Sequence, residues 1–333
     1  MEPHMPEVLE TPEVLIHVGG LRKHFPVRLG AYGGTAATVH AVDRVSLDIF
    51  KGETLSLVGE SGCGKSTVGF AILQLHRPTE GTVVYKGQDI AQLSDAQLRP
   101  LRRDLQIVFQ DPYSTLNPRM TVGQTVAEPM KLHRLAGNDT VKQRVAQLLE
   151  DVGLPQRFTN RYPHELSGGQ RQRVALARAL ACEPKFLVCD EAVSALDVSV
   201  QAQVINLLQD IQQKYQLTYL FIAHDLAVVR HISDRVAVMY LGRLAELGTR
   251  DQIFASPQHP YTRALLSSVP HLGHAGSPRA PLRGDVPSPL NPPAGCFFHS
   301  RCPMATDECA RNVPEWRTLS DGRSVACHYV DGP

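Results

Sequence analysis

The sequence predicts an α/β protein built on a mainly parallel sheet, and three observations carry that expectation. Short apolar runs, TLSLV at 54–58, FLVCD at 186–190, LTYLFIA at 217–223 and RVAVMYL at 235–241, alternate with helical stretches. Runs that are apolar throughout suit strands buried on both faces of a sheet. Polar groups follow three of them: a glycine loop after the first, the Asp190–Glu191 pair at the end of the second and His224 after the third. Open α/β sheets place ligands at such carboxyl ends. Between about Asp111 and Pro163 the pattern changes, because VKQRVAQLLEDVGL has amphipathic helical spacing and no strand run interrupts it. A helical insertion, about 111–180, is expected there.

The 333 residues accommodate one large domain and a smaller one, expected at 1–265 and 266–333. With 34 basic and 33 acidic residues the net charge is +1, so no global field favours nucleic acid, and none is expected as a partner. The longest strictly apolar stretch, Val236 to Leu241, is far short of the roughly 20 residues that span a bilayer. The start, MEPHMPEVLETPEVL, is acidic and proline-bearing, unlike a secretory signal, and implies a cytoplasmic protein. Prolines at 270, 278, 281, 287, 289, 292 and 293 mark a linker or extended arm. Of seven cysteines, Cys63, Cys182 and Cys189 are scattered, whereas Cys296, Cys302, Cys309 and Cys327 fall in the last 38 residues. In a reducing compartment that clustering suggests metal ligation before disulfides.

Three motifs carry chemistry. GESGCGKST, from Gly59 through Ser61, Gly62, Cys63 and Gly64 to Thr67, fits G-x-x-x-x-G-K-[ST] directly after a strand. Its glycines let backbone N–H groups turn inward on phosphate oxygens, Lys65 reaches the β/γ-phosphates, and Ser66 can ligate magnesium. In FLVCDE, Asp190 would hold the magnesium and Glu191 could polarise the attacking water as general base. In LSGGQRQRVALARAL, Ser167, Gly168, Gly169 and Gln170 open a helix and form a second anion nest. One nucleotide already has a cradle, so the second nest serves a nucleotide held by another chain.

This combination resembles the ABC ATPase cassette, whose LSGGQ signature closes over ATP held by the opposite subunit of a head-to-tail dimer. Gln110 in VFQDP matches the Q-loop, Ser194 to Asp197 the D-loop, and His224 in FIAHD the switch histidine; Phe25 falls where the family stacks an aromatic on adenine. The resemblance implies an antiparallel β subdomain beside the core sheet, with ATP and Mg2+ as ligands. It assigns Gln110 and Asp190 to the metal and lytic water, Glu191 as base, His224 to the γ-phosphate, and Ser167–Gln170 to the partner's nucleotide. Where the family usually has proline after the glutamate, this chain has Ala192, and altered turnover is expected. Alkylation of Cys63 is expected to block nucleotide binding.

The tail narrows the resemblance. QIFASPQHPYTRALLSSVP, GDVPSPLNPPAGCFFHSRCP, DPYSTLNPR and SALDVSVQAQVINLL resemble ATP-binding subunits of dipeptide and oligopeptide importers, most of all the dipeptide F-type subunit. That implies pairing with a second, related ATPase beneath two membrane permease subunits, at the cytoplasmic face of the inner membrane. An extracytoplasmic peptide-binding protein delivers the cargo, and the insertion, including Pro112 to Met120, receives the permeases' coupling helices. Other readings remain open: a relative's cargo such as nickel, glutathione or a sugar, a non-transport ABC ATPase, or a cassette retained as a sensor. The cysteine spacing, C-x5-C-x6-C-x17-C, lacks close C-x2-C pairs. Some peptide-importer ATPases with a similar tail bind a 4Fe-4S cluster; zinc, or free or disulfide-linked thiols forming a clasp, are the alternatives, with His299 and His328 as substitute ligands.

Overall fold

Two sheets organise the computed structural model, which describes residues 12–28, 36–135, 137–194, 196–267 and 284–330. Pro270, Pro278 and Pro281 of the linker, and Ala195 of the D-loop, lie outside the described residues. The first sheet begins with β1 (Val14–Arg28) and β2 (Ala36–Phe50), an antiparallel pair interrupted by several register shifts. β3 (Thr54–Val58) leaves for the second sheet, while β4 (Glu80–Tyr85) and β5 (Gln88–Asp89) complete the first in the order β2-β1-β4-β5.

The second sheet adds β6 (Leu105–Val108), β7 (Phe186–Asp190), β8 (Thr218–Ile222), β9 (Arg235–Tyr240), β10 (Arg243–Thr249), β11 (Arg317–Thr318) and β12 (Ser324–Val325). Its order is β11-β12-β10-β9-β3-β8-β7-β6; the run from β9 to β6 is parallel, and β10 turns back antiparallel. Every residue of β3, β7 and β8 is buried. That two-sided burial is why these strands read as unbroken apolar runs. The carboxyl ends of β3, β7 and β8 deliver the glycine loop, the acidic pair and His224 to one edge of the sheet.

Between β6 and β7 lie the helices Pro112–Thr115, Val122–Leu132, Asn138–Asp151 and Gly168–Leu180. Val126, Met130, Leu148, Leu149, Leu176 and Leu180 are buried among them. The guanidinium of Arg173 donates to the Val152 carbonyl at 2.8 Å, capping the end of one helix with a side chain of another.

The tail is joined to the core sheet. β12 pairs with β10 through Glu246 and Val325, and Phe298, 2% exposed, packs against Tyr240 and Tyr261 with ring centroids 5.3 and 5.4 Å away. Glu246 is fully buried, and its carboxylate accepts the backbone N–H groups of Gln258 at 2.8 Å and His259 at 2.9 Å beside Arg323. A buried charge persists only with such partners.

Candidate nucleotide site

The glycine loop bridges β3 and the helix Lys65–Ile72. Gly59 and Gly64 have φ of 154° and 105°, and a Cβ would strike the Met239 carbonyl at the first and the Ala41 carbonyl at the second. Glycine therefore lets the loop lie against β9 and β2. Gly64 is the helix N-cap and no side chain caps it, so the first-turn amides are left for a ligand. Lys65, 4% exposed, folds over its own loop and donates to the carbonyls of Gly59 at 2.9 Å and Glu60 at 3.0 Å.

Ser66 Oγ donates to Asp190 Oδ1 at 2.7 Å, so the two residues expected to hold magnesium already meet. Burial pushes the Asp190 carboxyl up, the Ser66 hydrogen bond opposes this, and the neighbouring Glu191 charge adds to the rise. A divalent cation would relieve this, because hard oxygen donors and a crowded pair of carboxylates suit Mg2+. Gln110 Nε2 donates to Glu191 Oε2 at 2.8 Å, and His224 Nδ1 lies 3.4 Å from the same oxygen. Ser194 Oγ donates to the Glu191 carbonyl at 2.9 Å. Gln110 and His224, far apart in sequence, thus meet on one carboxylate oxygen of Glu191, while Ser194 holds the backbone of the same residue. Glu191 itself has φ of 46°, in the left-handed region. Its N–H donates to the Ile222 carbonyl at 2.9 Å, tying the end of β7 to β8. Backbone strain of this kind is held by its surroundings and re-aims the side chain.

Phe25, on β1, pairs in register with Val39, two residues before Ala41 at the loop. Its half-buried ring meets the edge of His76 at 5.5 Å, and Lys23 Nζ sits 4.9 Å from its centroid. Ser167 is the N-cap of the helix Gly168–Leu180: its Oγ accepts the Gln170 N–H at 3.4 Å, while Gln170 Oε1 accepts the Ser167 N–H at 3.0 Å. A Cβ on Gly168 would touch Leu196, and one on Gly169 would lie 2.6 Å from Val200. These contacts of Ser167–Gln170 therefore run within the motif and to Leu196 and Val200, just before and at the start of the helix Val198–Tyr215, and none of them joins the loop 59–67.

Cys63 is 3% exposed and burial pushes its pKa up, so the alkylation expected to block nucleotide binding will be slow. In the tail, Cys296, Cys302, Cys309 and Cys327 line one cavity together with His259, His299 and His328. Burial pushes the Cys296 thiol up to about 11, and no cysteine forms a disulfide. His299 and His328 each hold a backbone carbonyl, of Cys296 at 2.8 Å and Asn312 at 3.0 Å. Among the described residues no group of three or more His, Cys, Asp or Glu side chains is arranged to hold a single metal ion. Sequence reasoning missed the back of the phosphate loop, where Tyr261 and Arg301 meet Glu60; no local pattern links positions so distant.

Comparison with known proteins places this geometry. The ABC transporter pattern matches residues 42–194, and that of the oligopeptide/dipeptide transporter C-terminal region matches residues 245–309. The chain is 50% identical over 320 residues to the oligopeptide transport ATP-binding protein AppF of Bacillus subtilis, covering 95% of this chain and 97% of that one. It is 51% identical to the probable peptide ABC transporter ATP-binding protein y4tS of Sinorhizobium fredii, over 95% and 90% of the two chains. Among solved structures, cbiO1 of Clostridium perfringens, part of the ABC transporter complex cbiONQ, superposes with a TM-score of 0.64 at 29% identity, covering 73% of this chain and 92% of that one. A dimeric ATP-binding cassette bound to ADP and Pi gives a TM-score of 0.63 at 30% identity, over 71% and 98%.

Proposed function

The chain belongs to the ABC transporter family, as an ATP-binding subunit of peptide importers, and from that premise we propose how its residues divide the work. It hydrolyses ATP to drive import through separate membrane permease subunits, and it works as a dimer of cassettes. Lys65 and the amides of Gly59–Thr67 hold the phosphates, and Phe25 stacks on the adenine. Ser66, Asp190 and Gln110 would hold Mg2+, which when bound offsets charge on the β- and γ-phosphates. Glu191 takes a proton from the attacking water, which Gln110 orients, and His224 donates to the γ-phosphate. Ser167, Gly168, Gly169 and Gln170 engage the nucleotide of the opposite cassette.

The observation that carries this reading is the convergence of Gln110 and His224 on one oxygen of Glu191, beside the Ser66–Asp190 contact. The second cassette is a related ATPase, and an extracytoplasmic binding protein delivers peptide to the assembly at the cytoplasmic face of the membrane. No described helix is long and apolar enough to cross a membrane. The docking face for the permeases is the segment Pro112–Met120, where Tyr113 is 66% exposed with the Arg171 guanidinium 4.6 Å from its ring centroid. Glu191→Gln tests the assignment: the purified complex should bind ATP with wild-type affinity and turn it over on the order of 10²–10⁴ times more slowly. Wild-type turnover at that site would remove Glu191 from the role of base.

The four tail cysteines are the proposed ligands of a 4Fe-4S cluster. What supports this reading is that all four line one cavity, and four cysteine thiolates are the usual ligand set of such a cluster. Anaerobically purified protein should show broad visible absorption with equal iron and sulfide; colourless, iron-free protein would leave a thiol clasp.

A further inference from the structure

We propose that Arg301 is a positioning residue of the phosphate loop, through which the cysteine-bearing tail sets nucleotide affinity by way of Glu60. The proposal rests on the reading of 59–67 as the ATP loop. Glu60 follows the first glycine of that loop and is held at three separate points. Its N–H donates to Tyr261 Oη at 2.9 Å, its carbonyl accepts Lys65 Nζ at 3.0 Å, and its carboxylate accepts Arg301 Nη1 at 2.7 Å and Nη2 at 3.0 Å. Arg301 comes from the turn His299–Arg301, between Cys296 and Cys302, and is 241 residues from its partner. Its side chain is only 5% exposed, against 23% for Glu60, and Nη1 also donates to Tyr240 Oη at 3.3 Å.

The chemistry is that of a brace. A two-pronged arginine–carboxylate pair fixes orientation as well as distance, and a lysine cannot reproduce it. Fixing Glu60 fixes the peptide whose carbonyl parks the Lys65 ammonium before ATP arrives. The loop is therefore curved for phosphate in advance, which limits the ordering cost of binding. Tyr261 and Tyr240 belong to the same aromatic cluster as Phe298, so the turn carrying Arg301 is itself immobilised against the back of the loop. A pair that merely docked the tail would have no reason to end on a residue of the phosphate loop whose backbone holds the phosphate-binding lysine. Any change at the cysteine cavity that shifts the Cys296–Cys302 segment is transmitted to ATP affinity by this route, and linkage requires ATP to stabilise the docked tail in return.

The test is a double-mutant cycle on the full chain, reading affinity for a fluorescent ATP analogue. Arg301→Gln and Glu60→Gln should each weaken binding about tenfold, and the double variant should be no weaker than the worse single. Arg301→Lys should also weaken it, because the charge remains but the fork is lost. Unchanged affinity in Arg301→Gln, or losses that multiply in the double variant, would overturn the proposal. If Arg301→Gln no longer unfolds cooperatively, Arg301→Lys with Glu60→Gln completes the same cycle. Lys65→Ala separates the two claims: if it binds like wild type, the loop assignment fails; if it loses binding while both Arg301 variants keep it, only the brace fails.

Discussion

The helices Lys65–Ile72 and Gly168–Leu180 both start beside a glycine, Gly64 as N-cap of one and Gly168 as first residue of the other, yet they treat their first-turn amides in opposite ways. At Gly64 the backbone is left-handed, no side chain caps the helix, and the amides stay open to phosphate. At Ser167 the helix caps itself, with Ser167 and Gln170 exchanging two hydrogen bonds. The first terminus is held open by contacts from β2, β9 and the tail, while the second is complete alone. A serine cap contributes about 1 kcal/mol, and charge-assisted hydrogen bonds to a phosphate are roughly twice as strong as neutral ones. A nucleotide presented by another cassette can therefore displace the self-cap at small cost. On the proposed reading, the signature caps itself while unpaired and would become a binding site only on pairing.

The largest expected effect comes from removing the acid beside the open terminus, at the end of β7, while leaving both helix starts intact, which is what Glu191→Gln does. Next is Ser167→Asp, which separates capping from recognition. Aspartate caps helices as well as serine does, so the melting transition should move by no more than about 0.5 kcal/mol in stability. A negative charge facing the γ-phosphate should nonetheless cut turnover by about 100-fold or more in the complex. Equal losses of stability and turnover would mean that Ser167 is only a cap. The smallest effect belongs to Phe25→Ala. Base–aromatic stacking is worth about 1–3 kcal/mol, so titration with ATP and with inorganic triphosphate should show at least a fivefold loss for ATP alone. An equal loss for both would place Phe25 in the loop's support instead of against the base.

Contiguous chemistry was legible in the sequence, and chemistry assembled over distance was not. Gly59–Thr67 and Asp190–Glu191 carry their function in local spacing, and the all-buried strands beneath them declare themselves by unbroken apolar runs. Gln110 and His224 could be placed near Glu191 only through resemblance, since nothing near 110 or 224 records which strands lie side by side. β1 was illegible because register shifts and the Gly19–Gly20 pair break its alternation. The S-x-x-Q capping box was visible at Ser167–Gln170, but the signature reading absorbed it. The Arg301–Glu60 pair left no trace at either position, because a surface-type charge pattern does not reveal that the tail folds back on the phosphate loop.

The central claim is that each ATP site is completed by the signature of the opposite cassette. Light scattering on the Glu191→Gln chain mixed with its partner ATPase measures this directly. MgATP should raise the scattering mass about twofold, as cassettes pair around trapped nucleotide, and adding Ser167→Asp should abolish the shift. A mass that does not respond to MgATP, or a shift that survives Ser167→Asp, would contradict it.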